Sequence, residues 1–361
     1  HAFFIINDNN DRMGKRTRQT AQKPPRSALA PPASSCSFGT TAQPRTALTA
    51  AALALLFLVG LLLADRCLGA MAGHFYQKIT RGASDLASLN RCLVASSPTR
   101  AFILGDSRAL FHYDASVLTA ATGMEFMNAG QPGRELLACQ LLLDLLLKRQ
   151  TPKLLLLDLS FHHFDQRRPH SLLPVIRWGL PFVDQSEVLQ GYISASELGA
   201  TWKYTVKLAA SRTYRYNELW IAWPLQYWDP QELDAPRDYL KPGKSRYLLN
   251  GKIDRPVVDA LLAMVRRCRE ASVPLVFCVG PTYRGDTEYG LWSQELQYLQ
   301  LIRQIAKLSQ VPLIEVTEIQ YPQFQDFTLF SDPDHLNAAG RFLFTRLVAD
   351  HVQKIVALAD G

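Results

Sequence analysis

Ser107, His335 and Asp332 are the residues of this 361-residue chain whose types and surroundings fit acyl transfer. A serine hydroxyl is a weak nucleophile until a base takes its proton, and the base works best when a third group orients it. Ser107 closes a Gly105-Asp106-Ser107 tripeptide that follows a short apolar run at 100–104 and precedes a helical pattern. A strand end fixes such a hydroxyl in space, and the N–H groups opening the next helix can stabilise an oxyanion. Near the C-terminus, Ser331-Asp332-Pro333-Asp334-His335-Leu336-Asn337 supplies the base and its orienter on a loop before the last helical pattern. A spacing of three lets the Asp332 carboxylate fold back onto the ring, leaving the other nitrogen for the Ser107 proton. Asp334 is the competing orienter, but side chains adjacent in sequence usually point apart.

Further candidates are single residues, each with an ordinary alternative. Gly130, in Asn128-Ala129-Gly130-Gln131-Pro132-Gly133, can bring a second N–H to the oxyanion because no side chain blocks the approach. Its plain reading is a strand-to-helix turn. Arg108 is a candidate contact for an anionic substrate group, against the default of a structural arginine. His162 and His163 are adjacent, with no carboxylate or cysteine at ligand spacing, so a satisfied polar pair is expected rather than a metal site. The six cysteines show no CxxC spacing; buried free thiols are expected, with a disulfide as the alternative outside the cytoplasm. No phosphate-binding glycine loop occurs, so no cofactor is expected.

These residues need elements to hold them. Short apolar runs at 100–104, 124–128, 153–158, 274–279 and 312–316 alternate with helical patterns at 134–148, 254–271, 291–309 and 338–357. Continuous apolar strands separated by helices predict a mainly parallel sheet covered on both faces, a three-layer α/β/α sandwich. The stretch at about 167–249 breaks this rhythm and is crowded with aromatic residues, as an inserted subdomain or lid would be. Most of those rings are expected to be core, with a few left to stack on sugars.

Residues 46–64 carry no charge, and nineteen residues at about 1.5 Å rise span roughly a bilayer's hydrocarbon. Residues 1–45 hold seven basic residues against two acidic ones and have no apolar period; they read as a disordered tail. The body is then close to balanced, so the net charge of +7 does not mark a nucleic-acid surface. The basic tail keeps the N-terminus cytoplasmic and puts the body outside. A cleaved signal peptide, with Ala70-Met71-Ala72 as a small-x-small site, is the rival, but the apolar run is long and its basic leader very long. The expected order is tail 1–45, membrane helix 46–64, connector 65–98 and catalytic domain 99–357.

Taken together, Gly-Asp-Ser-Arg after the first strand, Asn-Ala-Gly after the second, and Asp-x-Asp-His-Leu-Asn-x-x-Gly before the last helix resemble the SGNH/GDSL hydrolase superfamily over residues 99–357. With the membrane tether, the chain is similar to the branch that includes polysaccharide and cell-wall O-acetylation proteins. The resemblance implies Ser107 as nucleophile, Asp332 and His335 as its partners, Gly130 as oxyanion donor, and a bacterial cytoplasmic membrane with the domain on the periplasmic side. Two departures stand out: Arg108 replaces the signature leucine, and the family's Gly-x-Asn block is replaced by Ser160-Phe161-His162 after the third strand. Ser160 is the candidate substitute for the missing oxyanion donor.

Three functions follow as expectations. The first is a membrane-anchored O-acyltransferase that passes an acetyl group through acyl-Ser107 to a glycan or other acceptor, fed by a membrane-bound acyl-donor partner. The second is an anchored esterase or lipase. The third is a degenerate domain that binds glycan or scaffolds a complex.

Overall fold

The computed structural model describes residues 44–80, 85–94, 101–165, 176, 179–195, 207–208, 211–216, 252–284 and 289–360. The basic tail and most of the aromatic insertion lie outside these residues. The chain divides into two compact units, His1–Leu55 and Leu56–Gly361.

Helix α1 runs Pro44–Tyr76, and within it Leu48–Tyr76 is long and apolar enough to cross a membrane. The expected helix ended at residue 64; the observed one continues for twelve more residues. Asp65 does not break it because the carboxylate is fully used: it accepts from Ser211 Oγ at 2.6 Å, Arg212 N–H at 2.6 Å and Thr213 N–H at 3.1 Å. One and two turns further on, Gly69 and Gly73 let the same segment lie close. A Cβ at Gly69 would stand 3.1 Å from Arg212 Cβ, and one at Gly73 would stand 2.8 Å from Tyr216 Oη. The helix ends on Tyr76, buried against Phe182 and Tyr216 at ring-centroid distances of 5.9 and 5.5 Å. α2 (Asp85–Val94) follows in the connector.

Five strands form one parallel sheet in the order β2-β1-β3-β4-β5: β1 Ala101–Leu104, β2 Phe126–Asn128, β3 Leu154–Asp158, β4 Leu275–Val279 and β5 Leu313–Glu315. The expected parallel sheet is thus present, each strand within two residues of its apolar run. Side chains alternate across a strand, and the burial pattern follows. Phe102, Leu104, Leu155, Leu157, Phe277 and Val279 join one apolar cluster with helices α5 (Leu136–Leu147), α8 (Arg255–Glu270) and α9 (Tyr289–Leu308). Ile103, Leu156, Val276, Cys278 and Ile314 join a second cluster with α3 (Ser107–His112), α4 (Ala115–Thr122) and α10 (Ala338–Asp360). Both faces being buried explains why the strands read as unbroken apolar runs.

The single helical stretch expected after Ser107 is two helices. Tyr113 leaves helical geometry, and Asp114 caps α4 by accepting from Ser116 N–H at 2.9 Å and Val117 N–H at 3.3 Å. α6 (Phe161–Phe164) follows β3, α7 (Glu187–Ala195) packs on α5, and a two-strand antiparallel hairpin, β6 (Phe330–Asp332) and β7 (His335–Leu336), precedes α10. Among the insertion's rings, Phe182 is buried and Tyr192 donates to Gln140 Oε1 at 2.6 Å; both are packing residues. Five cysteines are free: Cys92, Cys139, Cys268 and Cys278 are buried as expected, Cys67 on α1 is exposed against that expectation, and Cys36 lies outside the described residues.

Candidate active site

With β1 and β3 adjacent and β2 on the far side of β1, the chain reverses direction across the sheet between β1 and β3. Open α/β sheets bind ligands at the carboxyl ends of strands at such a switch. The segments after β1 and β3 build the site there.

Gly105 leaves β1 with φ +156°, and a Cβ on it would stand 2.7 Å from Ala109 Cβ and 3.0 Å from Asp158 Cβ. Only glycine lets α3 begin this close to the sheet. Asp106 is the N-cap, accepting from Arg108 N–H at 2.8 Å, which makes Ser107 the first helical residue. The same carboxylate meets His163 Nε2 at 3.2 Å. His163 Nδ1 accepts from Ser160 N–H at 3.3 Å, so Nε2 carries the hydrogen and faces Asp106 and the Arg134 carbonyl, the latter at 3.3 Å. Burial works against the Asp106 carboxylate. The His163 ring and the Arg108 charge and N–H outweigh it, holding the carboxyl well below its usual range. Asp106 and His163 thereby pin the post-β1 and post-β3 segments together.

The β6–β7 hairpin brings the other half. Asp332 Oδ1 accepts from Asp334 N–H at 2.9 Å and His335 N–H at 3.0 Å, locking the turn. His335 Nδ1 meets Asp332 Oδ2 at 2.7 Å, and its Nε2 meets Ser107 Oγ at 2.7 Å. Phe111 packs edge-on against the imidazole, centroids 5.3 Å apart. Burial alone would lower the His335 pKa. The Asp332 hydrogen bond and charge outweigh it, with help from Asp334 and Asp106, and raise it above the ordinary histidine value. Ser107, His335 and Asp332 are therefore brought together in one hydrogen-bonded chain, and Asp334 is not the group on His335 Nδ1.

The other three candidates stand elsewhere. Gly130 N–H donates to Asn128 Oδ1 at 2.8 Å, so this amide is engaged and does not serve an oxyanion. A Cβ at Gly130 would lie 2.4 Å from Leu110 N and 2.7 Å from Ala109 C; the glycine is needed for close packing under α3. Ser160 is fully buried behind the pocket wall: its N–H donates to His163 Nδ1 at 3.3 Å and its hydroxyl caps α6, accepting from His162 N–H at 3.4 Å. Arg108 borders the site but is only 1% exposed, and its guanidinium donates to the Gly280 carbonyl at 2.7 Å beneath Phe161. It is a buried part of the pocket wall rather than an exposed anion contact. Its charge acts at a distance instead: after burial, it is the largest influence holding His112 neutral. His112 Nε2 donates to the Asp334 carbonyl at 2.9 Å.

A pocket of about 250 Å³ opens beside Ser107 and His335. Its wall is formed by Asp106, Ser107, Arg108, Gly133, Arg134, Glu135, His162, His163, Asp334 and His335, with no apolar side chain among them. Gly133 occupies the third position of a turn closed by Arg134 N–H to the Gln131 carbonyl at 3.1 Å. Its φ of +72° after Pro132 is the type II pattern. Neither Ser107 N–H nor Gly133 N–H has an acceptor among the described residues. Among the described residues no group of three His, Cys, Asp or Glu side chains could hold a metal ion.

Sequence reasoning missed the roles of Asp106, Asn128 and Gly133, while His162 and His163 are the hydrogen-bonded polar pair it expected. Asp106 carried a usable signal, an aspartate directly before a helical pattern. Asn128 donates to the Ala109 and Tyr113 carbonyls at 2.8 and 3.1 Å, a contact visible only once β2 lies beside α3. No known protein-family model matches the chain, and no curated protein matches it.

Proposed function

We propose that this protein is a membrane-anchored serine acyltransferase of SGNH type, a three-layer α/β/α domain held outside the cytoplasm by α1, that moves a short acyl group through acyl-Ser107. The observation that carries this reading is the chain from Ser107 Oγ to His335 to Asp332, 2.7 Å at each step, opening on a polar pocket. In this reaction His335 Nε2 takes the Ser107 proton as Oγ attacks the acyl carbonyl, then returns it to the leaving group. Asp332 holds Nδ1–H and stabilises the imidazolium. The N–H groups of Ser107 and Gly133 meet the oxyanion, Gly133 taking the part that the sequence suggested for Gly130.

The polar and charged side chains of the wall favour an acetyl-sized group and a glycan or similar hydroxyl acceptor. Hydrolysis by the same acyl-enzyme is the second reading, favoured by the pocket's openness to water at His335, which is about one-fifth exposed. A fluorophosphonate probe tests the nucleophile on the full-length protein in detergent. Labelling lost in Ser107→Ala is expected, and no labelling of the intact protein under conditions that label a control serine hydrolase would overturn the enzymatic reading.

A further inference from the structure

Three imidazole–carboxylate pairs meet at the pocket: His335–Asp332, used in the chemistry above, Asp106–His163 at 3.2 Å, which pins the post-β1 and post-β3 segments together, and a third with neither task. The third is His162 and Asp334, Nε2 to Oδ1 at 3.4 Å, both on the wall beside Ser107 and His335. It is firmly built. Asp334 N–H donates to Asp332 Oδ1 at 2.9 Å, and its carbonyl accepts from the neutral His112 at 2.9 Å, so the residue is fixed on both sides. Burial opposes its ionisation, but His162, Arg108 and His335 hold the carboxyl below the usual range, and a carboxylate there accepts the Nε2 hydrogen. His162 is set by the α6 cap on Ser160 and keeps about one-fifth of its side chain exposed to the pocket.

Making and breaking acyl-Ser107 calls on His335, Asp332 and the two amides. What remains is to hold the group that receives the acyl. Resting on the acyl-serine reading, we infer that His162–Asp334 is an acceptor-positioning pair that binds a polyol or sugar hydroxyl beside His335 and favours it over water. In the step it serves, the bond between the acyl carbon and Ser107 Oγ breaks and a bond from that carbon to the acceptor oxygen forms. The acceptor's proton passes to His335 Nε2 and then to Ser107 Oγ, so one ester replaces another and no further reactant is consumed. The polar and charged side chains of the wall suit such an acceptor.

The test uses the full-length protein in detergent, p-nitrophenyl acetate as donor and glycerol as acceptor probe, with free acetate and acetylglycerol measured separately. In the wild type, acetylglycerol should rise saturably with glycerol. His162→Phe should raise the glycerol KM roughly tenfold or more, the worth of one hydrogen bond to a charged pair, while acetate release without glycerol falls by a smaller factor. His162→Gln should recover part of the loss, which a purely structural defect would not allow. A glycerol KM in His162→Phe within twofold of wild type, or acetylglycerol rising without saturation in the wild type, overturns the acceptor pair and leaves the acyl-serine reading intact. Acetate release no greater than that of Ser107→Ala overturns both, and so separates the two failures.

Discussion

Replacing Gly130 by alanine adds one methyl group at a place where the backbone has no room for it. The added Cβ would lie 2.4 Å from Leu110 N and 2.7 Å from Ala109 C, where ordinary contact begins at 3.4 Å. Both obstacles are main chain, so no rotamer change relieves them; α3 or the post-β2 segment must move by about 1 Å. Ser107 is the first residue of α3, and its 2.7 Å contact with His335 Nε2 tolerates no such shift. A misplacement of about 1 Å costs on the order of 10²-fold in rate, and overpacking costs about 1–3 kcal/mol in stability. The assay is the second-order rate of fluorophosphonate labelling alongside the unfolding midpoint. Gly191→Ala is the control. It lies within α7 with nothing inside 4 Å of the added carbon, and should be neutral or up to about 1 kcal/mol stabilising. Labelling of Gly130→Ala within threefold of wild type, with an unchanged midpoint, would refute the packing role assigned to this glycine.

Two further outcomes follow from the charged groups. His335 must be neutral to take the Ser107 proton, and its pKa is raised, so the acylation rate should fall with acidification through a midpoint above 6.5. Asp332→Asn should move that limb to lower pH and slow acylation by roughly 10²- to 10⁴-fold; a limb that stays in place would show that Asp332 does not set the base. Asp158, fully buried at the end of β3, accepts from Tyr113 Oη at 2.8 Å, and burial pushes its carboxyl from 3.8 up to about 6. The folded chain holds this proton more tightly, so the group's contribution is fully present below pH 3.8 and is lost as pH rises through about 6. Asp158→Asn should accordingly raise stability at pH 8 by at most about 3 kcal/mol and do little near pH 4. Calorimetry at both values checks this, and an equal effect at the two would count against it.

Periodicity carried much of the fold into view. The five strands are buried on both faces, so each appears in sequence as an apolar run between helical patterns, and Leu154–Asp158 is legible to within a residue. The alternation of Phe102 and Leu104 with Ala101 and Ile103 between two cores is invisible in such a run, because both sets are apolar. At the site, Ser107, Asp332 and His335 stood out because short spacing and helix starts are local signals. Gly130 and Gly133 are three residues apart, one just before the turn and one within it, and only the hydrogen bond of the first to Asn128 tells which amide is engaged. Arg108 misled for a related reason: position next to the serine says nothing about where a long side chain ends, and this one ends under Phe161. The end of α1 was misplaced because a charged residue at 65 looks like an exit from an apolar helix until Ser211, Arg212 and Thr213 supply its partners from 146 to 148 residues away.

That last feature bears on how the protein can be cut. Residues 65–76 have the composition of an anchor's end, yet through Asp65, Gly69, Gly73 and Tyr76 they are a wall of the folded body. Proteolysis or truncation anywhere between Asp65 and Tyr76 does not leave the folded body intact. It strips the partner from the 211–216 segment and uncovers Phe182 and Tyr216, creating an adhesive apolar surface. A soluble version has to keep the helix from before Asp65 and replace only the exposed leucines ahead of it, such as Leu61, Leu62 and Leu63, with polar residues.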